Sequence, residues 1–270
     1  MKRFKKIILL LLGMIFILIL ILGFNTSLEV TNYTYKNTKI PDSFHGYKIA
    51  FISDLHHENF GENQSTLLEA IISQSPDIVV MTGDIVDEDH TDMKPVEDLL
   101  KGLSQKYPIY YVSGNHDICA AAAKQYQALQ SLFETYGVID LDDKQVSLEK
   151  NEETIRMTGS MWRSIYVEDY LELADPSYFN ILLYHGSDIF DYVAPFGYDL
   201  VLSGHTHGGI IRLPFIGGLI TNTRDFMPSY AGGAYKQGIS TLISSRGLGD
   251  AIIPRFNNRP ELVIVTLVNH

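Results

Sequence analysis

The hydrophobic pattern divides the chain at its N-terminus. Four basic residues within the first six positions precede an uncharged, almost wholly apolar run over residues 7–24. A run of about 18 apolar residues reaches the lower limit for a helix that spans a bilayer. The pattern therefore predicts a transmembrane signal anchor over residues 1–24. Because basic flanks remain on the cytoplasmic side, it also predicts a cytoplasmic N-terminus and an extracytoplasmic domain.

Two other interpretations of this leader fit the sequence less well. A cleavable signal peptide would have a shorter apolar core and a small-x-small cleavage site. The residues after Phe24 read Asn-Thr-Ser-Leu-Glu, which contains no such site. An uncleaved anchor is therefore favoured, and secretion after signal cleavage stays open as the alternative. A core helix of a soluble domain would need polar positions for an amphipathic face, and the run offers none.

Residues 25–44 are mostly polar and predict a stem, with one edge strand where Leu28 and Val30 alternate with polar neighbours. From Tyr47 onward, short aliphatic and β-branched runs end abruptly in polar residues. Continuous apolar runs of this length are typical of strands buried on both faces. The five strongest runs cover residues 48–54, 77–84, 108–116, 180–185 and 199–205.

Helical patterns separate the first of these strands. Thr66 and Glu69 have the spacing of a capping box, which predicts a helix that begins there. Further helices are predicted over 92–103 and 120–136, the second ending at Gly137. Residues 144–159, 238–245 and 261–268 predict antiparallel strands, and the Gly- and Pro-rich segment 210–235 predicts a long loop. The alternation predicts a partly parallel α/β sheet in one domain over residues 45–270.

Composition and charge exclude several classes of protein. The chain of 270 residues is 46% hydrophobic and 20% charged, which excludes a disordered chain, a coiled coil and a fibre. Outside the basic leader, 17 Lys and Arg stand against 32 Asp and Glu. This acidic balance argues against nucleic acid as a partner. The single cysteine, Cys119, excludes an intramolecular disulfide framework and a Cys-rich zinc module.

Each of the five strands ends in candidate metal ligands, and the carboxyl ends of strands are where sites form in open α/β sheets. Carboxylate, imidazole and amide ligands without thiolate suit Mn, Fe or Zn. Each motif alone also occurs in ordinary turns and helix caps, but the order and spacing of all five are specific. The endings are Asp54-Leu-His56, Gly83-Asp84, Gly114-Asn115-His116-Asp117, His185 and Gly204-His205-Thr206-His207.

This set resembles the calcineurin-like metallophosphoesterase superfamily over about residues 45–270, with no departure at a core motif position. The N-terminal anchor, Ser53–His56, Ser203–Gly209 and Ser245–Gly249 are similar to a branch of membrane-associated bacterial phosphoesterases. Relatives in that branch are linked to UDP-diacylglucosamine pyrophosphate hydrolysis or to the cell wall. The resemblance implies a two-sheet β-sandwich flanked by helices, a four-layer αββα fold, behind one N-terminal transmembrane helix.

The resemblance also implies the roles of the site residues. The first of two divalent metal ions would be held by Asp54, His56 and His207. The second would be held by Asn115, His185 and His205, and Asp84 would bridge both. A hydroxide shared by the two cations would attack phosphorus. His116 would face the substrate and protonate or stabilise the leaving oxygen, with Asp117 either orienting its imidazole or forming a structural turn.

Contacts with the substrate are less determined by the sequence. Arg246 could bind a phosphate through its planar fork or form a surface ion pair, and Arg212 and Arg224 are similar but weaker candidates. His57 is either a bystander or a second substrate contact. The predicted function is hydrolysis of phosphate mono- or diesters, with a phosphorylated small molecule, a lipid-linked substrate or a UDP-sugar pyrophosphate as the substrate. A non-catalytic metal-binding scaffold of the same fold is the alternative.

Overall fold

A computed structural model of the protein describes residues 2–163, 166–221, 225–249 and 254–269. The first element is helix α1, Lys2–Gly23. Within Arg3–Gly23, an 18-residue window has a mean hydropathy of 3.0, and only 6% of this window is buried against the rest of the chain. Within the described residues, α1 is the one helix long and apolar enough to cross a membrane.

The remaining helices lie between and beside two large sheets. They are α2 Ser65–Gln74, α3 Lys94–Leu103, α4 Asn115–Ile118, α5 Ala123–Tyr136 and α6 Phe190–Val193. The first seven strands are β1 Glu29–Lys36, β2 Lys48–Ile52, β3 Ile78–Met81, β4 Ile109–Tyr111, β5 Ile139–Asp140, β6 Lys144–Lys150 and β7 Glu153–Ser160. The others are β8 Asn180–Gly186, β9 Leu200–Gly204, β10 Ile211–Leu213, β11 Gly217–Ile220, β12 Gly233–Gln237, β13 Ser240–Ser244 and β14 Glu261–Val268.

Both large sheets are mixed, with parallel strands at their centres. The first has the order β1-β14-β2-β3-β4-β5, and β2 to β5 run parallel. The second has the order β12-β13-β9-β8-β7-β6, and β7, β8, β9 and β13 run parallel. Strands β10 and β11 form a separate antiparallel hairpin.

The two sheets pack face to face around a common core. Phe51 and Val80 from the first sheet and Ile181 and Leu202 from the second belong to one buried cluster. A second cluster joins the outer face of the first sheet to α2, α3 and α5, and a third joins the second sheet to α6. The predicted sandwich with helices on both outer faces is confirmed. Because central strands such as β3, β8 and β9 are covered on both faces, their sequences are apolar with little alternation.

The segment predicted as a stem is continuous with the sandwich. Strand β1 pairs parallel with β14 along its whole length and forms the edge of the first sheet, where an edge strand was expected. Beyond it, Ile40 and Phe44 are buried in the core between the sheets. The division of the chain into an anchor, a stem and a catalytic domain at residues 24 and 44 stays a prediction. In the structure, α1 ends at Gly23 and β1 of the folded domain already begins at Glu29.

Two local predictions were wrong. No capping box forms at Thr66: α2 begins one residue earlier, and Gln64 precedes it without a side-chain cap. The reason is that the carbonyl of Phe60 already accepts the Thr66 amide hydrogen, at 2.9 Å. The segment 210–235 is not one long loop, because it contains β10, β11 and the start of β12.

The predicted antiparallel C-terminal strands are mixed in direction. Strand β13 runs antiparallel to β12 but parallel to β9, and β14 runs antiparallel to β2 but parallel to β1. Each of these strands reaches its parallel neighbour through a long excursion of the chain, which a local pattern does not reveal.

Candidate metal centre

The candidate ligands lie where the carboxyl ends of the two sheets meet. The imidazole Nδ1 of His185, from the second sheet, lies 2.7 Å from the carbonyl oxygen of Thr82, directly after β3 of the first sheet. Several of the candidate ligand residues have left-handed backbone conformations, which residues other than glycine rarely adopt. Such strain concentrates at functional sites. The positive φ angles are 52° at Asp54, 46° at His56, 51° at Asp84, 76° at His205 and 47° at His207.

One group of side chains has the composition of a metal site. Ligand atoms of Asp54, His56 and His207 all lie within 4.8 Å of one another, and all three residues are buried. Within the group, His207 Nε2 lies 3.5 Å from Asp54 Oδ1. The His56 and His207 rings are stacked with their centroids 5.2 Å apart. These are the three residues expected at the first metal.

A second group adjoins the first. Ligand atoms of Asp84, His185 and His205 likewise lie within 4.8 Å of one another. Asp84 Oδ2 lies 3.0 Å from His185 Nε2 and 3.8 Å from Nε2 of His56, which belongs to the first group. Asp84 is therefore between the two groups, in the position that a bridging carboxylate needs. The protein thus has two buried His/Asp clusters that could hold metal ions.

Two buried polar atoms make the fit to cations specific. His56 Nε2 and Asn115 Oδ1 are buried without a hydrogen-bond partner in the described part of the chain. An unsatisfied buried polar atom is costly, so each such atom calls for an explanation. Both atoms are good ligands for divalent transition metals. The donor set of the site therefore fits the metals that the sequence implies.

The charges in the two clusters perturb one another. Burial by itself would lower the pKa of His185, but the Asp84 carboxylate raises it to about 10. Burial would raise the pKa of Asp84, but His185 beside it holds that pKa far below its usual value. Burial lowers the pKa of His205 and of His207, so these rings are neutral. Without metal, the site therefore keeps a proton on His185 that a cation would displace.

Small residues let the strand ends approach one another. A Cβ atom on Gly114 would lie 2.2 Å from Asp84 Oδ1, and one on Gly204 would lie 2.3 Å from Asp54 Oδ2. Neither position has room for any other side chain. The glycines in the Gly-Asn-His-Asp and Gly-His-Thr-His motifs therefore set the spacing of the carboxylates.

Two carboxylates that the sequence reasoning missed support the histidines. Asp87 Oδ2 lies 3.4 Å from His56 Nδ1. Burial would raise the pKa of Asp87, but its hydrogen bonds to His56 and His90 lower it overall. Glu88 Oε2 lies 2.8 Å from His116 Nδ1. Both carboxylates follow the Gly83-Asp84 motif by a few residues, and this proximity was the available signal. Partners of this kind fix the orientation of a ligand ring.

His116 lies at the open side of the site. Its side chain is 35% exposed, and its ring centroid is 5.1 Å from that of His56. Its backbone amide donates to Asp84 Oδ1 at 2.8 Å, which ties the residue to the centre of the site. The role of His116 toward the substrate stays a prediction.

Asp117 does not orient His116. Its buried carboxylate accepts hydrogen bonds from the backbone amides of Asp84, Ile85 and Val86, at 2.7 to 3.0 Å. The Tyr111 hydroxyl also donates to it, at 2.8 Å. Asp117 therefore has the structural role, holding the turn that carries Asp84, and Glu88 is the partner of the His116 imidazole.

The side chains predicted to contact the substrate make hydrogen bonds and ion pairs within the protein instead. The half-buried Arg246 guanidinium donates to Glu29 at 2.8 Å and to the buried Glu261 at 2.9 Å. Arg212 donates to the backbone carbonyls of Gly208 and Ala231, and Arg224 lies outside the described residues. His57 is buried and its Nδ1 lies 2.9 Å from the carbonyl oxygen of Asp92. These contacts give no support to Arg246 or His57 as substrate ligands.

One arginine was missed by the sequence reasoning. Arg255 is 3% exposed, and its Nη2 lies 3.2 Å from His207 Nδ1. The same side chain donates to the carbonyl oxygens of Arg246 and Gly249. Nothing in the local sequence around Arg255 indicates this contact, because its partner ring is 48 residues away along the chain.

The fold and the paired clusters define a metal-dependent phosphoesterase. Residues 47–209 match the family model of the calcineurin-like phosphoesterases, and the chain belongs to this family. It is 31% identical to the metallophosphoesterase YkuE of Bacillus subtilis, covering 89% of this chain and 85% of that one. It is 29% identical to the phosphodiesterase YaeI of Escherichia coli, covering 82% of each chain.

A more distant relative carries a more specific name. The chain is 25% identical to the UDP-2,3-diacylglucosamine pyrophosphatase LpxG of Chlamydia muridarum, covering 88% of each chain. Together these matches make the protein a phosphoesterase hydrolase. The alternative of a scaffold without catalytic activity receives no support from them.

Proposed function

We propose that the protein is a membrane-anchored phosphoesterase that acts outside the cytoplasm with two divalent metal ions. The observation that carries the proposal is the position of Asp84 between two buried His/Asp clusters. The metals are drawn from Mn, Fe and Zn, since the ligand atoms are oxygen and nitrogen only. The residues proposed to hold them are Asp54, His56 and His207 at one site and Asn115, His185 and His205 at the other, with Asp84 shared.

The chemistry proposed for the site divides between the metals and the chain. When bound, the paired cations supply positive charge to the phosphoryl oxygens and activate the attacking water. The chain holds the ligands rigidly, because Asp117 fixes the turn at Asp84 and Asp87 fixes the His56 ring. His116 is proposed to give a proton to the leaving oxygen, and Glu88 keeps its ring in place.

The proposed location follows from α1. This helix is apolar from residue 7 onward and almost entirely exposed, and its first turns carry Arg3, Lys5 and Lys6. An exposed apolar surface of this length is stable in a bilayer and not in water. The basic residues support a cytoplasmic N-terminus, with the catalytic domain proposed on the other side of the membrane.

The proposed substrates are phosphate mono- or diesters, including lipid-linked and UDP-sugar pyrophosphates. The lipid-linked class is supported by the anchor and by the name of the Chlamydia relative. A substrate panel tests this choice with the full-length protein in detergent, loaded with Mn or Zn. The panel compares p-nitrophenyl esters, soluble nucleotides and a detergent-dispersed UDP-diacylglucosamine.

We expect turnover of the dispersed lipid substrate above that of the soluble nucleotides. The reverse preference would refute the lipid-linked assignment and leave the phosphoesterase assignment intact. Asp169→Asn serves as the matched control for changes in the site, because Asp169 is an exposed carboxylate outside both clusters.

A further inference from the structure

The hairpin β10–β11 presents an apolar surface to solvent. Residues 213–220 read Leu-Pro-Phe-Ile-Gly-Gly-Leu-Ile and include no polar side chain. At its tip, Phe215 is fully exposed and Ile216 is 56% exposed. Phe226 and Met227 lie beside the hairpin, through a bridge between Ile220 and Phe226, and are 75% and 56% exposed.

This exposure is concentrated in one place. Beyond residue 24, the described chain has ten exposed large apolar or aromatic side chains, and five of them belong to this unit. We call these five the hairpin patch: Leu213, Phe215, Ile216, Phe226 and Met227. A soluble surface scatters such residues singly, whereas a contiguous patch marks an interaction site.

The turn holds its aromatic residue outward. The amide of Ile216 donates to the carbonyl of Leu213 at 3.2 Å, which closes a turn around Pro214 and Phe215. Phe215 has a φ of 68°, at a turn position where glycine is the usual residue. Among the described residues, the conformation buries the ring against nothing, since Phe215 is fully exposed. The turn therefore displays the ring to a surface outside the protein.

The hairpin is joined to the end of α1. The amide of Arg212, in β10, donates to the carbonyl of Phe256 at 2.9 Å. On its other side, the Phe256 ring packs edge-on against Phe24, with centroids 5.2 Å apart. The amide of Asn257 donates to the carbonyl of Gly23, the last residue of α1. The residues around Phe256 thus hold the hairpin beside the end of the membrane helix.

We propose that the hairpin patch inserts into the surface of the bilayer from which α1 emerges. The occupant of the patch is lipid, because the hairpin is tied through Phe256 to the end of an apolar helix whose surface is almost entirely exposed within the described chain. Inserted aromatic and aliphatic side chains would leave water and be buried at the boundary between the lipid headgroups and the acyl chains. The proposal rests on the proposed anchoring of α1.

Insertion would bring the metal centre to the membrane surface. The hairpin follows soon after Gly204-His205-Thr206-His207 in the chain. It also packs closely against this segment, because a Cβ atom on Gly209 would lie only 2.7 Å from the Cα of Gly218 in β11. A cavity of about 250 Å³ lies at its base, and its lining includes His205, Thr206, Thr221 and the carboxylates of Asp188 and Asp225. The headgroup of a lipid held in the bilayer would thus enter beside the second cluster, where bound cations rather than this lining would attract its phosphate.

Depth-dependent fluorescence quenching tests the insertion with the full-length protein in phosphatidylcholine vesicles. The chain has one tryptophan, Trp162, so the wild type supplies the background signal. Phe215→Trp is compared with Ile239→Trp, which is 62% exposed in the turn between β12 and β13. With brominated acyl chains, we expect the added emission at position 215 to fall at least twofold and the emission at position 239 to stay unchanged.

Two further readouts make each outcome decisive. Flotation of the protein with vesicles reports on α1, and hydrolysis of a soluble ester reports on the metal centre. If the protein floats and is active but position 215 is not quenched, the insertion is refuted and the proposed function stands. Blue-shifted emission at 215 without bromine quenching, together with cross-linked dimers, would instead assign the patch to a second copy of the chain. If Phe215→Trp does not fold, Phe226→Trp replaces it with the same expectation.

Discussion

The contact between Glu88 and His116 gives the sharpest prediction about catalysis. The two side chains meet at 2.8 Å, and each is about one third exposed, at 34% and 35%. Burial would raise the pKa of Glu88, but the hydrogen bond from His116 lowers it overall, so the carboxylate is ionised at neutral pH. Glu88→Gln keeps the shape of the side chain and an acceptor oxygen but removes the charge.

The size of the effect follows from this geometry. A hydrogen bond to a charged group that is shielded from water stabilises a protein by about 1.5–3 kcal/mol. Partial exposure screens a charge pair, so about 1 kcal/mol is the reasonable figure here. Because 1.36 kcal/mol corresponds to tenfold in rate, kcat should fall roughly fivefold. Removing the imidazole itself, as in His116→Asn, should cost about 10²- to 10⁴-fold.

The assay is steady-state hydrolysis of a soluble phosphodiester by the metal-loaded protein. Glu88→Gln should lower kcat and leave KM and the metal content unchanged, because Glu88 belongs to neither ligand cluster. Glu149→Gln, an exposed position on β6, is the control and should behave as the wild type. A loss of metal from Glu88→Gln, or a kcat equal to that of the control, would refute the positioning role.

Three further predictions follow from the packing and charges of the site. Gly204→Ala should displace Asp54 and reduce metal content measured by elemental analysis, whereas Gly238→Ala, which meets nothing within 4 Å, should keep its metal. Arg246→Ala should lower the free energy of unfolding in urea by about 3 kcal/mol, because it leaves the Glu261 carboxylate buried without its cation; a raised KM with unchanged stability would instead indicate a phosphate contact. In chelator-treated protein, the pKa of His185 is raised to about 10 from an unfolded value near 6.5. The resulting stabilisation is complete below about pH 6.5 and is lost as the pH rises through about 10, so Tm should fall across this range more steeply than in His185→Asn.

The sequence was most informative where a feature depends on neighbouring residues. Strands covered on both faces are continuous apolar runs, so the five central strands could be located before the fold was known. The candidate ligands follow those strands directly, and they were found for the same reason. The helix over 120–136 ended at Gly137 as predicted, because a left-handed residue there closes the last turn, with a φ of 69°.

Features that depend on distant contacts could not be predicted in this way. Arg246 binds Glu29, which lies 217 residues earlier in the chain, so no local pattern distinguishes this ion pair from a phosphate contact. The sequence left open whether Asp117 orients His116 or forms a structural turn, and it did not indicate Glu88, which the fold brings to the ring from 28 residues away. The hairpin β10–β11 was not predicted, because its strands are short and the Gly and Pro residues around them are typical of a loop.

The central claim is that Asp84 joins two metal sites into one catalytic centre, and one paired measurement tests it most directly. Wild type, Asp84→Asn and the control Asp169→Asn are purified at full length, loaded with Mn or Zn, and analysed for bound metal and for hydrolysis of a phosphodiester. We expect two metal ions per chain and turnover in the wild type and the control, whereas Asp84→Asn should lose bound metal and also lose turnover. A metal-loaded wild type that is no more active than Asp84→Asn on any phosphoester would contradict it.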